Sequence, residues 1–337
     1  MLPLGPDRPH RRIAALDALR GFALCGIIFI NIPQTMEMFA YAGELPTPLL
    51  LLFYGRFYPI FYLLFGVGFG IFLTSAARRT SRPRVLLVRR LVALGVLGGV
   101  LHLLQPGEVL LPFAVTGLLV LLPLSYLPRR ALLAVAVTLT AAGILAGVGG
   151  LGMLPGLFAL GFAAAEWRVH ESLGDRPGRL VVMGVAAVAV WGLGVWLVTL
   201  PLPELAQIRL GLTVSLATAC CYLAVFLLLL RTPVGAVLSW VLAPMGRMAL
   251  TNYFSAALIF VPAGTTMGLP GSERWPASAL LGVGILLVQA VVSNLWLRRF
   301  GYGPLEWTWR CATYWRRLPI RGGASRARAT GQAVEAG

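Results

Sequence analysis

Residues 15–33 of the chain read ALDALRGFALCGIIFINIP, an apolar stretch interrupted by only two charged residues, Asp17 and Arg20. A helix needs about 20 mostly apolar residues to cross the hydrocarbon core of a bilayer, and this stretch meets that length. A secretory signal peptide would end in a cleavage site of small residues, which does not follow here. The stretch is therefore predicted to be the first membrane-spanning helix.

The composition extends this prediction to the whole chain of 337 residues. Hydrophobic residues make up 58% of the chain and charged residues 12%, whereas a soluble globular domain contains about 45–50% and about 25% of these classes. This excess excludes a soluble enzyme, a nucleic-acid-binding domain and a secreted disulfide-stabilised scaffold. The four cysteines show neither a disulfide pattern nor a metal-ligand spacing, so no metal site is predicted.

Further apolar stretches of similar length follow the first. The pair at 131–149 and 151–167 is separated only by glycines, so it represents either two spans or one bent or re-entrant element. The stretch at 53–75 continues an apolar run too long for one straight crossing, and tilt or a short interfacial helix before it would absorb the difference. The predicted fold class is an all-α polytopic integral membrane protein, a bundle of about ten transmembrane helices near 15–33, 53–75, 88–105, 109–127, 131–149, 151–167, 180–200, 210–230, 246–267 and 277–297.

The arginines predict the orientation of this bundle. All 28 basic residues are arginine and the net charge is +16, but they flank apolar segments, which indicates membrane orientation and no nucleic-acid partner. With the N-terminus in the cytoplasm, only Arg209 and Arg274 fall in outer connections, as the positive-inside rule requires. Both termini are therefore predicted to be cytoplasmic, with 1–12 as a cytoplasmic segment, 13–318 as a single transmembrane domain and 319–337 as a disordered basic tail. The arginine-rich, lysine-free composition favours a bacterial plasma (inner) membrane.

Polar residues within a span are costly and usually face the protein interior. Asp17 and Arg20 lie three residues apart, so they share a helix face and can form an ion pair. Arg20 and Asn31 are eleven residues apart, about three helical turns, and project from the same side. This face is either a structural pair that fixes the helix end or a polar line that leads into an internal cavity.

His102 is the only histidine within a predicted span, and Glu108 follows it closely. A carboxylate beside an imidazole can raise its basicity, so this pair is a candidate general base for a hydroxyl nucleophile. The alternative is a hydrogen-bonded structural or interfacial histidine. The remaining polar side chains of the later spans are expected to form interhelical hydrogen bonds, namely those of Asn252, Tyr253, Gln289 and Asn294. Aromatic residues and arginines interleaved between Trp307 and Arg317 predict an amphipathic helix on the cytoplasmic leaflet.

Five stretches together carry a family resemblance. They are LDALRGFAL at 16–24 with Asn31, LFGVG at 64–68, His102 with GEVL at 107–110, GRMALTNY at 246–253 and YGPLEW at 302–307. From about Arg12 to Trp315 the chain resembles the YeiB-like family of bacterial membrane proteins, a domain of unknown function. Glu108 stands where members of that family usually have Asp. Arg247, Asn252 and Glu306 lie in the last two stretches and join Asp17 and Asn31 as polar residues expected within the membrane.

The first stretch is also similar to that of the transmembrane acyltransferase superfamily, which includes heparan-glucosaminide N-acetyltransferase-like proteins and bacterial O-acyltransferases. In the O-acyltransferases an arginine is followed eleven residues later by histidine, whereas Arg20 is followed at that spacing by Asn31. In the glucosaminide-acetylating relatives a histidine lies in the next connection, whereas no histidine lies between Asn31 and His102 here. If the chain is an acyltransferase, His102 would have to take the role of the histidine found in those relatives.

Two functions follow from these observations. In the first, acyl-CoA enters from the cytoplasm as co-substrate, Arg20, Arg89 and Arg90 hold its phosphates, and His102 with Glu108 activates the hydroxyl of an extracytoplasmic envelope glycan or lipid-linked acceptor. In the second, the chain is a transporter or permease for a small molecule or lipid-linked intermediate, although no internal repeat is visible. A non-catalytic membrane subunit is a third possibility. The lipid bilayer is the one partner common to all three, and the sequence predicts neither a firmly bound cofactor nor an oligomeric state.

Overall fold

The computed structural model describes residues 8–169, 177–198 and 200–320. Within these ranges all regular structure is helical and no strand is present. The helices are α1 (Arg8–Thr35), α2 (Thr47–Leu52), α3 (Tyr58–Ala77), α4 (Pro83–His102), α5 (Leu110–Leu124), α6 (Arg129–Ala146), α7 (Leu154–Glu166, preceded by a 3-10 turn at Gly150–Met153), α8 (Pro177–Val198), α9 (Glu204–Leu229), α10 (Pro233–Arg247), α11 (Ala249–Thr266), α12 (Trp275–Arg299) and α13 (Pro304–Tyr314).

The described helices identify a membrane protein. Seven of them are long and apolar enough to cross a bilayer, namely α3, α4, α6, α9, α12, most of α1 and most of α8. The pair α10 and α11 is bent by 79° at Met248 and would add an eighth crossing if it is one broken span. α5 and Gly150–Glu166 are apolar but shorter. Each stretch predicted as a span therefore coincides with a helix, while the number of crossings depends on these three shorter or broken elements.

The helices bear on two open points of the sequence. The short helix α2 precedes α3, as expected for the long second apolar run. Residues 131–167 form two helices, since Gly147 and Gly149 adopt positive φ angles of 66° and 79° that turn the chain between α6 and α7. These two helices then pack tightly, because Gly156 leaves no room for a Cβ against Thr140. The region is a helical hairpin, and its assignment to two spans or to a re-entrant element stays a prediction, because Gly150–Glu166 is shorter than a crossing needs.

Residues 231–245, expected to be a connection between two spans, are instead mostly helix α10. This helix packs along α1 at two glycines: Gly21 lies against the carbonyl of Leu242, and Gly246 lies against the carbonyl of Asp17. Neither glycine could carry a Cβ without displacing backbone. The close approach places Arg247, at the end of α10, beside the charged turn of α1.

The main core lies where α3, α4, α5, α7 and α11 meet. Phe65 of α3 stacks on Phe158 of α7 with ring centroids 4.5 Å apart, and Phe113 of α5 meets both rings edge-on. Gly66 lies directly against the carbonyl of Phe158, so the glycine run of α3 serves helix packing. Residues 1–7 and 321–337, which include most of the predicted cytoplasmic segment and tail, lie outside the described residues.

Candidate functional site: an arginine-lined cavity

A cavity of about 270 Å³ opens between α1, α3, α4, α5, α11 and α13. Its first end, called the arginine end, is lined by Arg20, Arg90, Arg247 and Arg310. Its opposite end, called the tyrosine end, is lined by Val109, Leu110 and Tyr253. Leucine and phenylalanine side chains of α3 and α4 form the walls between them. The cavity is therefore cationic at one end and mainly apolar along its length.

Local structure holds each arginine in place. Arg20 forms an ion pair with Asp17 at 2.8 Å, as their spacing predicted. Arg247 ends α10 and donates to the carbonyl of Gly301 at 3.2 Å. Arg90 lies 3.6 Å from the ring centroid of Trp309, whose indole N–H donates to the Arg90 carbonyl at 2.7 Å. Arg310, the next residue of α13, lies 4.4 Å from the ring centre of Tyr302.

The arginine end carries more positive charge than the chain neutralises. Arg90, Arg247 and Arg310 form no ion pair within the part of the chain that the structure describes. Arg90 also lies within electrostatic reach of Arg20 and Arg310, both of the same sign. Clustered cations in a poorly solvated site are costly without a counter-ion, and guanidinium groups match phosphate and carboxylate in geometry. The arrangement is suited to binding an anion.

Glu306 borders the same end of the cavity, but its carboxylate is engaged elsewhere. It accepts hydrogen bonds from the backbone N–H groups of Leu250 and Thr251 at 2.7 and 3.0 Å, and from the Thr251 hydroxyl at 2.5 Å. These groups belong to the first turn of α11, whose N–H groups have no partner within the helix. Burial raises the pKa of Glu306 above its ordinary value, although these hydrogen bonds oppose the shift. Glu306 therefore fastens α13 to the start of α11 and leaves the arginines unpaired.

The tyrosine end is set by the connection between α4 and α5. Leu110 and Leu111 pack against Gly98, which leaves no room for a Cβ there. Arg90 and Gly98 are eight residues apart on α4, so the two ends of the cavity are separated by about 12 Å along this helix. The Tyr253 hydroxyl accepts a hydrogen bond from the Val109 N–H at 3.3 Å. Next to it lies a void of about 10 Å³, the size of one water, lined in part by Asn31, Asn252 and Gln289.

His102 and Glu108, predicted as a catalytic pair, lie outside the cavity lining. His102 is exposed at the end of α4. Glu108 is only 2% exposed, and its two carboxylate oxygens accept the N–H groups of Leu110 and Leu111 at 2.5 and 2.9 Å, so it caps α5. Burial raises its pKa, while those hydrogen bonds and His102 act in the opposite direction. Among the described residues no hydrogen bond joins the two side chains, and their catalytic role stays a prediction.

The other predicted residues divide between the cavity and its surroundings. Arg20 and Arg90 line the cavity as expected for the predicted phosphate site, but Arg89 lies elsewhere, 4.3 Å from the ring centroid of exposed Trp315. Asn252 donates to the Met245 carbonyl at 3.1 Å and to Ser293 at 3.0 Å, which confirms the interhelical hydrogen bonding expected of it. Asn252 thus spans the break between α10 and α11.

Sequence analysis did not place Arg310 or Tyr253 in a site. Arg310 was assigned to an amphipathic surface helix, and that helix exists as α13. Arg310 comes within electrostatic reach of Arg90 because α13 folds back over α4, which local periodicity does not encode. The one available signal was the run of arginine and aromatic residues, because stacked guanidinium groups often occur at anion sites.

Comparison with known proteins gives matches along nearly the whole chain. A protein of Bacillus acidopullulyticus named "Uncharacterized 39.9 kDa protein in amylase 3'region" is 32% identical, with 94% of this chain and 98% of that protein covered. "Uncharacterized protein YxaH" of Bacillus subtilis (strain 168) is 28% identical over 95% of this chain and 98% of its own length. Residues 164–316 match the family model described as "Protein of unknown function (DUF418)". The chain belongs to this DUF418 family.

This membership confirms the family predicted from the motifs, while the wider similarity to transmembrane acyltransferases stays a prediction. The part matched by the DUF418 model contains the break at Met248, Tyr253 and all of α13. Two of the four arginines at the arginine end, Arg247 and Arg310, therefore lie within the residues that match the DUF418 model. The other two, Arg20 in α1 and Arg90 in α4, lie before them in the chain. No solved structure matches the chain.

Proposed function

We propose that this DUF418 protein binds acyl-CoA and transfers its acyl group to an envelope glycan or lipid-linked acceptor. In this proposal it lies in the bacterial plasma membrane, crosses it ten times and has both termini in the cytoplasm. The arginine end then faces the cytoplasm, where acyl-CoA is found. Three described arginines then lie on the outer side, namely Arg56 before α3, Arg209 at the start of α9 and Arg274 before α12, and this small number is in keeping with the positive-inside rule.

The observation that carries the proposal is the polarity of the cavity. Three unpaired guanidinium groups gather at one end of a pocket whose walls are apolar. An acyl-CoA has the same division, since its phosphates lie at one end and its pantetheine arm and acyl group at the other. Arg90, Arg247 and Arg310 would hold the phosphates, and the arm would lie along α3 and α4.

Acyl transfer joins an acceptor oxygen to the thioester carbonyl carbon and breaks the carbon–sulfur bond. The electron pair of that bond passes to the sulfur, and the proton of the acceptor hydroxyl ends on the released thiol. A base must carry this proton. His102 beside Glu108 is the base we propose, at the outer end of α4 where an acceptor arrives. Because His102 lies outside the cavity, His102→Ala should abolish transfer and leave binding of acetyl-CoA unchanged.

The test is binding of acetyl-CoA to the purified protein in lipid nanodiscs by isothermal titration calorimetry. Arg90→Ala should weaken binding roughly 10- to 100-fold, as expected when a charged hydrogen-bonding group is removed. The matched control is Arg89→Ala, which removes the same charge one residue away but outside the cavity, and it should change the affinity less than about twofold. Absence of binding at millimolar ligand, or equal losses in both variants, would contradict the proposal.

A second function is favoured by the break between α10 and α11. Helices interrupted within the membrane are typical of transporter binding sites, and Gly246, Arg247 and Ala249 on either side of Met248 line the cavity. A transporter would move the whole ligand across the bilayer. Proteoliposomes loaded with acetyl-CoA labelled in both the acetyl group and the nucleotide distinguish the two. Joint export of both labels indicates transport, whereas acetyl label alone on an external acceptor indicates transfer.

A further inference from the structure

The tyrosine end of the cavity contains a buried hydroxyl whose hydrogen bonding is incomplete. Tyr253 is 8% exposed and lines both the cavity and the adjoining void. Its oxygen accepts the Val109 N–H at 3.3 Å, and the Asn31 side-chain amide lies next to the same oxygen. Over the residues described here, this hydroxyl donates no hydrogen bond of its own. A phenol can still donate one hydrogen bond in this situation.

The position of this donor restricts the ligand. The hydroxyl accepts the Val109 N–H at the tyrosine end, and the backbone of α4 rises about 12 Å from Arg90 to Gly98, which packs against Leu110 and Leu111 at that end. A ligand that satisfies both ends needs an anionic group and a hydrogen-bond acceptor joined by a long linker. In a glycerophospholipid the phosphate and the ester carbonyls are only a few bonds apart. In an acyl-CoA the entire pantetheine arm separates the phosphates from the thioester carbonyl.

We infer that Tyr253 donates a hydrogen bond to the thioester carbonyl oxygen of a short-chain acyl-CoA. The inference rests on the proposed binding of acyl-CoA at the arginine end. Leu110 and Phe113, both buried, line the cavity at the tyrosine end, which favours a short acyl group, as in acetyl-CoA. Negative charge develops on this oxygen when an acceptor attacks the carbonyl carbon, and a positioned donor stabilises that charge. Tyr253, the last residue of the GRMALTNY stretch, is thereby a catalytic residue.

The test compares two ligands that differ only at the carbonyl. S-ethyl-CoA has a methylene group where acetyl-CoA has the thioester carbonyl, and both carry the same phosphates and arm. Binding of each is measured in nanodiscs for the wild type, for Tyr253→Phe and for Tyr222→Phe. Tyr222 is the matched control, because its hydroxyl donates to the Leu52 carbonyl at 3.0 Å and does not line the cavity.

The wild type should prefer acetyl-CoA over S-ethyl-CoA by about two- to tenfold, the range expected for one neutral hydrogen bond. In Tyr253→Phe this ratio should fall to about one, through weaker binding of acetyl-CoA and not of S-ethyl-CoA. Tyr222→Phe should keep the wild-type ratio. Tyr253→Phe should also slow acetyl transfer relative to the wild type, whereas Tyr222→Phe should not. The loss of rate should be larger than the loss of acetyl-CoA affinity, because the hydrogen bond from Tyr253 to the carbonyl oxygen strengthens in the transition state.

Three results would overturn the inference. A wild-type ratio retained in Tyr253→Phe would show that the hydroxyl does not contact the carbonyl. Equal weakening of both ligands would indicate a packing role, or a water in the adjoining void as the true acceptor. Displacement of bound acetyl-CoA by dioleoyl phosphatidate at similar concentration would contradict the long-linker argument. Absence of binding of either CoA ligand to the wild type would instead refute the proposed function, on which the inference depends.

Discussion

At the scale of single residues, Glu306 connects two elements that are far apart in sequence. Its carboxylate accepts three hydrogen bonds from Leu250 and Thr251, more than 50 positions earlier in the chain. Those groups begin α11 directly after the 79° bend at Met248. Glu306 thus joins the bend to α13 and helps to hold that helix over the cavity.

Replacing Glu306 with Ala should leave these three donors without their acceptor. Because they are partly buried, we expect a loss of about 1–3 kcal/mol in the free energy of unfolding. Thermal unfolding in nanodiscs measures the effect as a lower midpoint temperature. Glu273→Ala is the control, since Glu273 is exposed, and it should leave the midpoint unchanged. Similar shifts in both variants would contradict this role of Glu306.

The pH dependence of stability should also depend on Glu306. Burial raises its pKa above the ordinary 4.5, so the folded protein binds this proton more tightly than the unfolded chain. The resulting stabilisation is fully present below pH 4.5 and is lost as the pH rises through the raised pKa. Glu306→Gln cannot titrate, so its unfolding midpoint should fall less than that of the wild type between pH 4.5 and neutral pH. Parallel curves for the two proteins would show that the pKa of Glu306 is not raised.

At the scale of elements, α13 closes the arginine end and is held there by a few contacts. Trp309 contributes two of them, a hydrogen bond of 2.7 Å to the Arg90 carbonyl and a ring face 3.6 Å from the Arg90 guanidinium. Trp309→Leu should therefore loosen α13. We expect faster hydrogen–deuterium exchange in peptides covering Pro304–Tyr314, measured by mass spectrometry. Trp315→Leu, at a residue 76% exposed, should leave that exchange unchanged, and equal rates in both variants would contradict the anchoring role.

The positions of most helices, but not of α10, could be predicted from the hydropathy of span-length stretches of the sequence. Every apolar stretch assigned as a span is a helix, because hydropathy over about 20 residues is a local property. α10 was missed because its 15 residues are fewer than the roughly 20 that a crossing needs. Apolar residues occupy its exposed face, as Val234, Val237 and Trp240, as well as its buried face, so its overall hydropathy was the available signal. The bend at Met248 could not be predicted, since it depends on Asn252 and on Glu306 from a distant segment.

The candidate site could be predicted only where its residues lie close together on one helix. Arg20 and Asn31 share one face of α1 and border the cavity and its adjoining void, as helical spacing indicated. His102 was expected in the site because it is close to Glu108 in sequence. The chain turns between them so that Glu108 caps α5 and Val109 reaches Tyr253. Contacts between distant segments, such as that of Arg90 with Trp309, could not be predicted, because no sequence pattern within either segment indicates which other segment it packs against.

At the scale of the whole molecule, the ten-span topology predicts which connections face the cytoplasm. Alkaline phosphatase is active only outside the plasma membrane, so fusions to it report the side of each connection. A fusion after Gly271, between α11 and α12, should be active, and one after Arg231, between α9 and α10, should be inactive. Expression levels are compared by immunoblot as the control. Activity at both positions, or only after Arg231, would contradict this topology.

Binding of acyl-CoA in the arginine-lined cavity is tested most directly by a crystal structure of the protein grown in a lipid mesophase with S-ethyl-CoA. We expect phosphate density within hydrogen-bonding distance of Arg90 and Arg310, with the arm along α3 and α4 and the ethyl group beside Tyr253. Density for the ligand at any other surface, or a cavity filled by lipid at saturating S-ethyl-CoA, would show that the arginine-lined cavity is not an acyl-CoA site.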